Sequence, residues 1–188
     1  MGLKDYAAEQ RHDFSLSSGT EKLRYYGSLS YYHQGTNLRT DNNSNDRITY
    51  RMNAVNDFDK INLKVTTGLD GFVEKNLVPN SQTAGGYAQI FQHIQQKKAT
   101  DLAYNEFGLP SSRGTDNPAV ELHELSGYHR NRSRVFNSNL QLEWNAPFLD
   151  GLGLRAKGNY NMWNSRNKSW NVSAPTYDDG STTPIMGN

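Results

Sequence analysis

The sequence predicts an all-β protein, an antiparallel meander of about six long transmembrane β-strands that belongs to an outer-membrane β-barrel. Three observations lead to this fold class. Apolar and polar residues alternate over several stretches of about ten residues, the length that a tilted strand needs to cross a bilayer. Mean hydropathy is −0.85, yet the chain of 188 residues has 11 Tyr, 7 Phe and 3 Trp. Short connections also alternate with long ones along the chain.

The first predicted hairpin covers residues 12–32. Phe14 and Leu16 alternate with polar residues on its first arm, and the second arm repeats the alternation from Leu23. Because successive strand side chains point to opposite faces, each arm has one apolar face and one polar face. Residues 19–22 (GTEK) have the composition of a short turn between the two arms.

The second predicted hairpin covers residues 47–73 and follows an Asn/Asp-rich loop at residues 33–46. Its first arm places Ile48 and Met52 on the apolar face. We expect a turn near residues 56–60, and a second arm that alternates from Ile61 to Gly71.

Residues 76–127 interrupt the alternation and are predicted to form a long extracellular loop. A loop of this length is usually functional or disordered, and its aromatic content favours a functional loop. We expect a short helix in it, with Ser81 or Thr83 as its N-cap and its end at Lys97 and Lys98. Its apolar face has four members: Tyr87, Ile90, Phe91 and Ile94.

The third predicted hairpin covers residues 134–163, with a turn at 146–151, and we expect a polar tail from Asn164 onward. Short turns at one end and longer loops at the other are typical of outer-membrane barrels. A soluble β-sandwich has shorter strands at more even spacing, so the pattern favours a barrel.

Composition and motifs argue against other classes of function. A net charge of +1 offers no electrostatic footprint for nucleic acid, and the chain has no cysteine. His123 and His129 are six residues apart, which does not put them on one helical face as in a zinc-protease motif. The other histidines (His12, His33 and His93) have no acidic partner at ligand spacing. We therefore expect no enzyme activity, no metal site and no cofactor.

Several short motifs resemble the SusC/RagA family of TonB-dependent outer-membrane transporters from Bacteroidetes. They are SGTEK at residues 18–22, RYY at 24–26 and SLSY at 28–31, followed by Gly35. Further similar segments contain Arg47, Tyr50, Arg51 and Asn53, and later EWN at residues 143–145 before LGL at 152–154. The resemblance extends from about His12 to Trp170.

The resemblance implies a barrel of about 22 strands with an N-terminal plug, in a Gram-negative outer membrane. Residues 1–188 correspond to about six early strands of that barrel domain, without the plug, so we expect a partial barrel. The intact transporter takes up nutrients such as oligosaccharides or peptides. Its partners are a SusD-like surface lipoprotein, the TonB complex and the surrounding outer-membrane lipid.

Two groups of residues are candidates for contact with a substrate. The first group lies on the polar face of the sheet, which we expect to point toward the barrel lumen. It comprises Arg24, Tyr26, Tyr32, Arg51, Lys64 and Arg155. The second lies in the long extracellular loop and comprises Tyr87, Phe91, Tyr104 and Phe107. For the aromatic members, packing within the wall or against the plug is the alternative role. For the whole chain, the alternatives are a soluble β-sandwich that binds carbohydrate or serves adhesion, and a passive porin-like barrel.

Overall fold

The computed structural model describes residues 2–80, 86–98, 100–113, 117–149, 151–172 and 174–185. Its main feature is one six-stranded antiparallel sheet in which the strands follow each other in chain order. The strands are β1 (Glu9–Gly19), β2 (Leu23–Gln34), β3 (Ser44–Phe58), β4 (Leu63–Pro79), β5 (Gly127–Asn145) and β6 (Gly153–Asn171). The predicted all-β meander is confirmed.

The strands are longer than the sequence predicts, most of all in the third hairpin. The pairing of β5 with β6 continues from Asn145↔Gly153 to Gly127↔Asn171, far beyond the predicted limits of residues 134–163. Residues 164–171 are therefore strand, and the polar tail predicted from Asn164 is wrong in this part. Backbone groups make the ladder, so pairing continues where the alternation of apolar side chains has already faded.

The predicted turn at residues 56–60 is also wrong in its position. Residues 56–58 still pair with residues 63–65, and the chain reverses through a 3-10 turn at Asp59–Ile61. Ile61 therefore lies in the turn and not in β4. Asn62 completes the reversal with a φ of 48°, a left-handed conformation that Asn adopts more readily than most residues. The first turn at residues 20–22 agrees with the prediction.

The connections differ strongly between the two ends of the sheet. Residues 20–22, 59–62 and 146–152 form the short-connection end, whereas residues 35–43 and 80–126 lie at the long-connection end. The second long connection contains α1 (Gly86–Gln96), α2 (Pro118–Glu121) and a 3-10 turn at Glu124–Ser126. The predicted short helix is thus confirmed as α1, while its predicted caps Ser81 and Thr83 lie outside the described residues. No helix of the described residues is long and apolar enough to span a membrane.

The two long connections pack together with both ends of the chain, and we call this assembly the loop cap (the described parts of residues 2–8, 35–43, 80–126 and 174–185). Leu38, Ile90 and Leu122 form its buried core. A bridge joins Leu3 to Leu38, and a second bridge joins Ser111 to Tyr177. The apolar core of this molecule therefore lies in the loop cap and not on the sheet.

Tyr50 of β3 crosses the neighbouring strand at a glycine. Its hydroxyl donates a hydrogen bond to the carbonyl oxygen of Val135 on β5, at 3.2 Å. The phenol lies directly over Gly71 of β4, where an added Cβ would lie 2.6 Å from the Tyr50 hydroxyl and still closer to that carbonyl. Because Gly71 has no side chain, the Tyr50 ring can cross over β4 and connect β3 to β5 by this hydrogen bond.

We predict that Gly71→Ala destabilises the sheet by about 1–3 kcal/mol, because the new methyl group overpacks this crossing. Urea denaturation in detergent micelles, followed by tryptophan fluorescence, measures the change. Gly158→Ala is the matched control, since Gly158 lies on the same face of β6 and an added Cβ there meets nothing within 4 Å. Equal stability of the two variants would contradict this account of Tyr50.

Candidate functional site

The register divides the sheet into an apolar face and a polar face. Residues directly opposite each other in adjacent antiparallel strands project from the same face. One row across all six strands shows the apolar face: Phe14, Leu29, Tyr50, Gly71, Phe136 and Met162. The parallel row displaced by one residue is polar: Ser15, Ser28, Arg51, Asp70, Asn137 and Asn161.

Large side chains of the apolar face are exposed. Phe14 is 69% exposed, Met52 57% and Tyr160 59%, all in the middle of their strands. The same holds for Leu16, Leu23, Tyr25, Leu29, Ile48, Leu69, Val73, Leu140, Leu154 and Met162. Monomeric soluble proteins rarely expose apolar patches larger than a few hundred Å². In the described residues all six strands belong to this one sheet, so no second sheet covers the face.

Aromatic residues lie at both ends of the apolar face. At the short-connection end, the rings of Trp144 and Phe148 have their centroids 6.2 Å apart. At the long-connection end, Tyr128 and Trp170 are directly opposite each other on β5 and β6. Trp144 borders the apolar residues directly, whereas Tyr128 and Trp170 lie six residues along their strands beyond the last apolar row, which contains Ile48 and Val73.

The register puts all six predicted strand residues on the polar face, but at three different heights. Tyr32 is nearest the long-connection end, opposite Arg11 and Arg47. Tyr26 and Arg51 lie near the middle. The other three form a group at the short-connection end: Arg24, Lys64 and Arg155.

The cations at the short-connection end have acidic neighbours. Arg24 forms an ion pair with Asp57 at 3.5 Å, and Arg155 forms one with Glu143 at 3.2 Å. Lys64 lies opposite both carboxylates, Asp57 on β3 and Glu143 on β5. Charges therefore alternate across five strands. These residues therefore form a cross-strand charge network within the sheet and are not a set of free cations.

The turns at this end continue the network outside the strands. Lys22 of the first turn forms an ion pair with Asp59 of the second turn. A hydrogen bond to this carboxylate and its negative charge raise the pKa of the Lys22 ammonium above its usual value. Both side chains are exposed, so the pair orients the turns without adding much stability.

The middle of the polar face has a concavity of about 470 Å³ over β3, β4 and β5. Arg51 lies there opposite Asp70, whose carboxylate accepts a hydrogen bond from the Asn137 amide at 2.9 Å. The Arg47 guanidinium stacks 4.0 Å above the Phe72 ring. Guanidinium, carboxylate, amide and aromatic groups together suit a polar ligand with several hydrogen-bonding groups.

The predicted loop residues have different environments. Phe91 packs against the core of the loop cap and is half-buried. Tyr104 and Phe107 lie on a turn that Asn105 stabilises, and they are 45% and 54% exposed. The Tyr87 side chain lies outside the described residues. Tyr104 and Phe107 are therefore the loop candidates that have an exposed ring.

Two histidines have acidic partners that the sequence did not indicate. His33 is at the end of β2, and its Nδ1 atom lies 2.6 Å from the carboxylate of Asp46 on β3. His93 Nδ1 on α1 lies 2.9 Å from the Glu121 carboxylate on α2, and this pair is buried in the loop cap. Both pairs join residues that are distant in sequence, so spacing alone could not reveal them.

The two histidines considered for a zinc-protease motif, His123 and His129, have separate structural roles. His123 Nδ1 accepts a hydrogen bond from the Leu125 amide, and this bond begins the 3-10 turn. His129 bonds to Ser169 and Asn80 at 2.8 and 3.0 Å. Among the described residues, no group of three His, Cys, Asp or Glu side chains has the arrangement of a metal site.

Compared with known proteins, the chain matches no protein-family model and no curated protein. The resemblance to SusC/RagA transporters therefore stays a prediction, and it rests on the motifs quoted above.

We predict that Glu121→Ala destabilises the loop cap by about 3 kcal/mol, because it removes one partner of a buried pair. Hydrogen exchange should show loss of protection in α1, with protection in β3 and β4 unchanged. Glu124→Ala removes an exposed carboxylate three residues away and is the matched control. Equal protection of α1 in both variants would be incompatible with this role of the pair.

Proposed function

We propose that this chain is a wall segment of an outer-membrane β-barrel from a SusC-like TonB-dependent importer. The observation that carries the proposal is the exposed apolar face of the six-stranded sheet, on which Phe14, Met52 and Tyr160 are each more than half exposed. In water such a face is unfavourable by about 25 cal/mol for each Å² of apolar surface. Contact with lipid acyl chains removes this cost and requires no second sheet.

The height of the apolar face agrees with a bilayer. On β3 the apolar residues extend from Ile48 to Phe58, roughly 34 Å at about 3.4 Å per residue. A strand tilt of about 40° reduces this length to roughly 26 Å, and the apolar band of outer-membrane barrels is about 25 Å tall. Trp144 and Phe148 at the short-connection end fit one membrane interface.

The edges of the sheet support a larger barrel. Within the described residues β1 and β6 each pair on one side only, and both are long strands of 11 and 19 residues. Unpaired backbone groups are very unfavourable in hydrocarbon, so in a membrane both edges pair with further strands or with the edges of a second copy of the chain. Bacterial barrels have at least about eight strands, so further strands must complete this wall.

The polar face is assigned to the interior of the barrel. The ion pairs of Arg24 and Arg155 give these residues a role in holding the wall. Tyr26, Tyr32 and Arg51 face the lumen, where they contact either the plug or an oligosaccharide or peptide substrate. Tyr104 and Phe107 in the loop cap contact the substrate or the SusD-like lipoprotein at the extracellular side.

Transport by the intact protein depends on the TonB complex, and this part of the proposal rests on the resemblance of the sequence motifs. A passive porin shares the geometry of the wall. The complete coding sequence distinguishes the two proteins: a plug domain and a TonB box upstream of this segment support the importer, and a complete gene without them contradicts it.

The membrane assignment is tested by refolding the 188-residue chain with and without detergent micelles. We expect aggregation in water, and a β-sheet circular dichroism spectrum with dispersed particles in detergent. A monodisperse chain that melts cooperatively in plain buffer would contradict the proposal and favour a soluble binding or adhesion module.

We predict that Met52→Arg lowers the stability of the detergent-folded chain by about 2–4 kcal/mol, the cost of a cation on the lipid face near mid-membrane. The adjacent Asn53→Arg, on the polar face, should change stability by less than about 1 kcal/mol. Urea titration in micelles measures both variants. Similar effects of the two substitutions would mean that the two faces of β3 have similar surroundings.

A further inference from the structure

Six cations lie on the apolar side of the sheet toward the long-connection end, five of them beyond the apolar band and Arg134 in its last row, with Val73 and Ile48. They are Lys75 on β4, Arg130, Arg132 and Arg134 on β5, and Arg166 and Lys168 on β6. We call this group the basic patch. Its concentration on three adjacent strands contrasts with the net charge of only +1 for the whole chain.

The strand register gives the row in which each cation of the basic patch lies. Lys75, Arg132 and Arg166 form one row across β4, β5 and β6. Arg130 and Lys168 form the next row outward, and Arg134 lies one row inward. Side chains that share a face in adjacent strands are about 5 Å apart, so these cations repel each other unless an anion lies between them.

A single carboxylate, Asp46 directly opposite Lys75 on β3, borders the six cations of the patch. On β4, β5 and β6 these rows contain no Asp or Glu on this face. On β3, the row of Lys75 continues with Asp46, whose carboxylate lies 2.6 Å from His33 Nδ1. None of the six cations forms an ion pair with a carboxylate of the described residues.

Two aromatic residues border the patch on its outer side. The Arg130 guanidinium lies 5.7 Å from the centre of the Tyr128 ring, and the Lys168 ammonium lies 5.9 Å from it. Trp170 is directly opposite Tyr128. These rings mark the outer limit of the patch, and the face of the Tyr128 ring attracts the two cations beside it.

The height of the patch fits the headgroup layer. Arg134 to Arg130 covers roughly 14 Å along the strand and, with a tilt of about 40°, roughly 10 Å along the membrane normal. Each headgroup layer is about 5–8 Å thick. Flexible Arg and Lys side chains adjust over the remaining few ångströms.

We propose that the basic patch binds the phosphate groups of an anionic lipid in the leaflet on the long-connection side. Guanidinium and ammonium groups are strong partners for phosphate oxygens, and the apolar band below them receives the acyl chains of the same lipid. The inference rests on the proposed membrane location. A lipid matches this surface better than a soluble polyanion does, because apolar and basic surfaces are continuous on one face.

The test measures lipid selectivity of the 188-residue chain in phosphatidylcholine vesicles. Electron paramagnetic resonance of spin-labelled phosphatidylglycerol and spin-labelled phosphatidylcholine reports how strongly each lipid associates with the protein. We expect a preference of roughly fivefold for phosphatidylglycerol in 50 mM salt. The preference should approach one in 500 mM salt, where the Debye length is only about 4 Å.

The variant R130Q/R132Q/R166Q/K168Q removes four cations of the patch and should lose most of this preference. The control K4Q/K60Q/K98Q/K157Q removes the same charge from positions outside the patch and should retain it. A preference that persists in the patch variant would overturn the proposal. So would a preference that 20 mM inorganic phosphate abolishes at matched ionic strength, since the cations would then bind a soluble phosphate.

The same spin-label experiment tests the lipid site and the membrane location separately. If both spin-labelled lipids associate with the chain but without selectivity, the membrane location holds and the basic patch proposal is overturned. If neither lipid associates with the chain, the proposed function fails, and the lipid site fails with it.

Discussion

The antiparallel hydrogen-bond ladder is the constraint on which the rest of this structure depends. Because directly opposite residues share a face, the ladder aligns the apolar positions of six strands into continuous rows. It also pairs the backbone groups that hydrocarbon would otherwise leave unsatisfied. The two contrasting faces, the charge network at one end and the basic patch at the other all follow from this single register.

The loop cap adds what the sheet alone lacks, a buried apolar core. Leu38 and Ile90 are fully buried there, and the pair of His93 with Glu121 joins the two helices of the cap. Contacts from Leu3 and Tyr177 bring both ends of the chain into the same assembly. The cap therefore fixes the exposed rings of Tyr104 and Phe107 at the long-connection end of the sheet.

The sequence was sufficient to predict features that depend on local alternation. The three hairpins, the helix around Ile90 and the polar-face positions of residues such as Arg51 follow from periods of two and 3.6 residues. The outer ends of β5 and β6 were missed because their apolar side is occupied by cations such as Arg132 and Arg166. The pairing of His93 with Glu121 and the basic patch depend on contacts between distant segments, which one sequence does not reveal.

The central claim is that one face of the sheet contacts lipid and the other contacts water. The chain has no cysteine, so single cysteines can be introduced at each of residues 48–55 of β3 and labelled with a nitroxide. In lipid vesicles, collision with oxygen should be high at positions 48, 50, 52 and 54, and collision with a water-soluble nickel complex should be high at the positions between them. An accessibility profile without this period of two, or one with the opposite phase, would contradict the account.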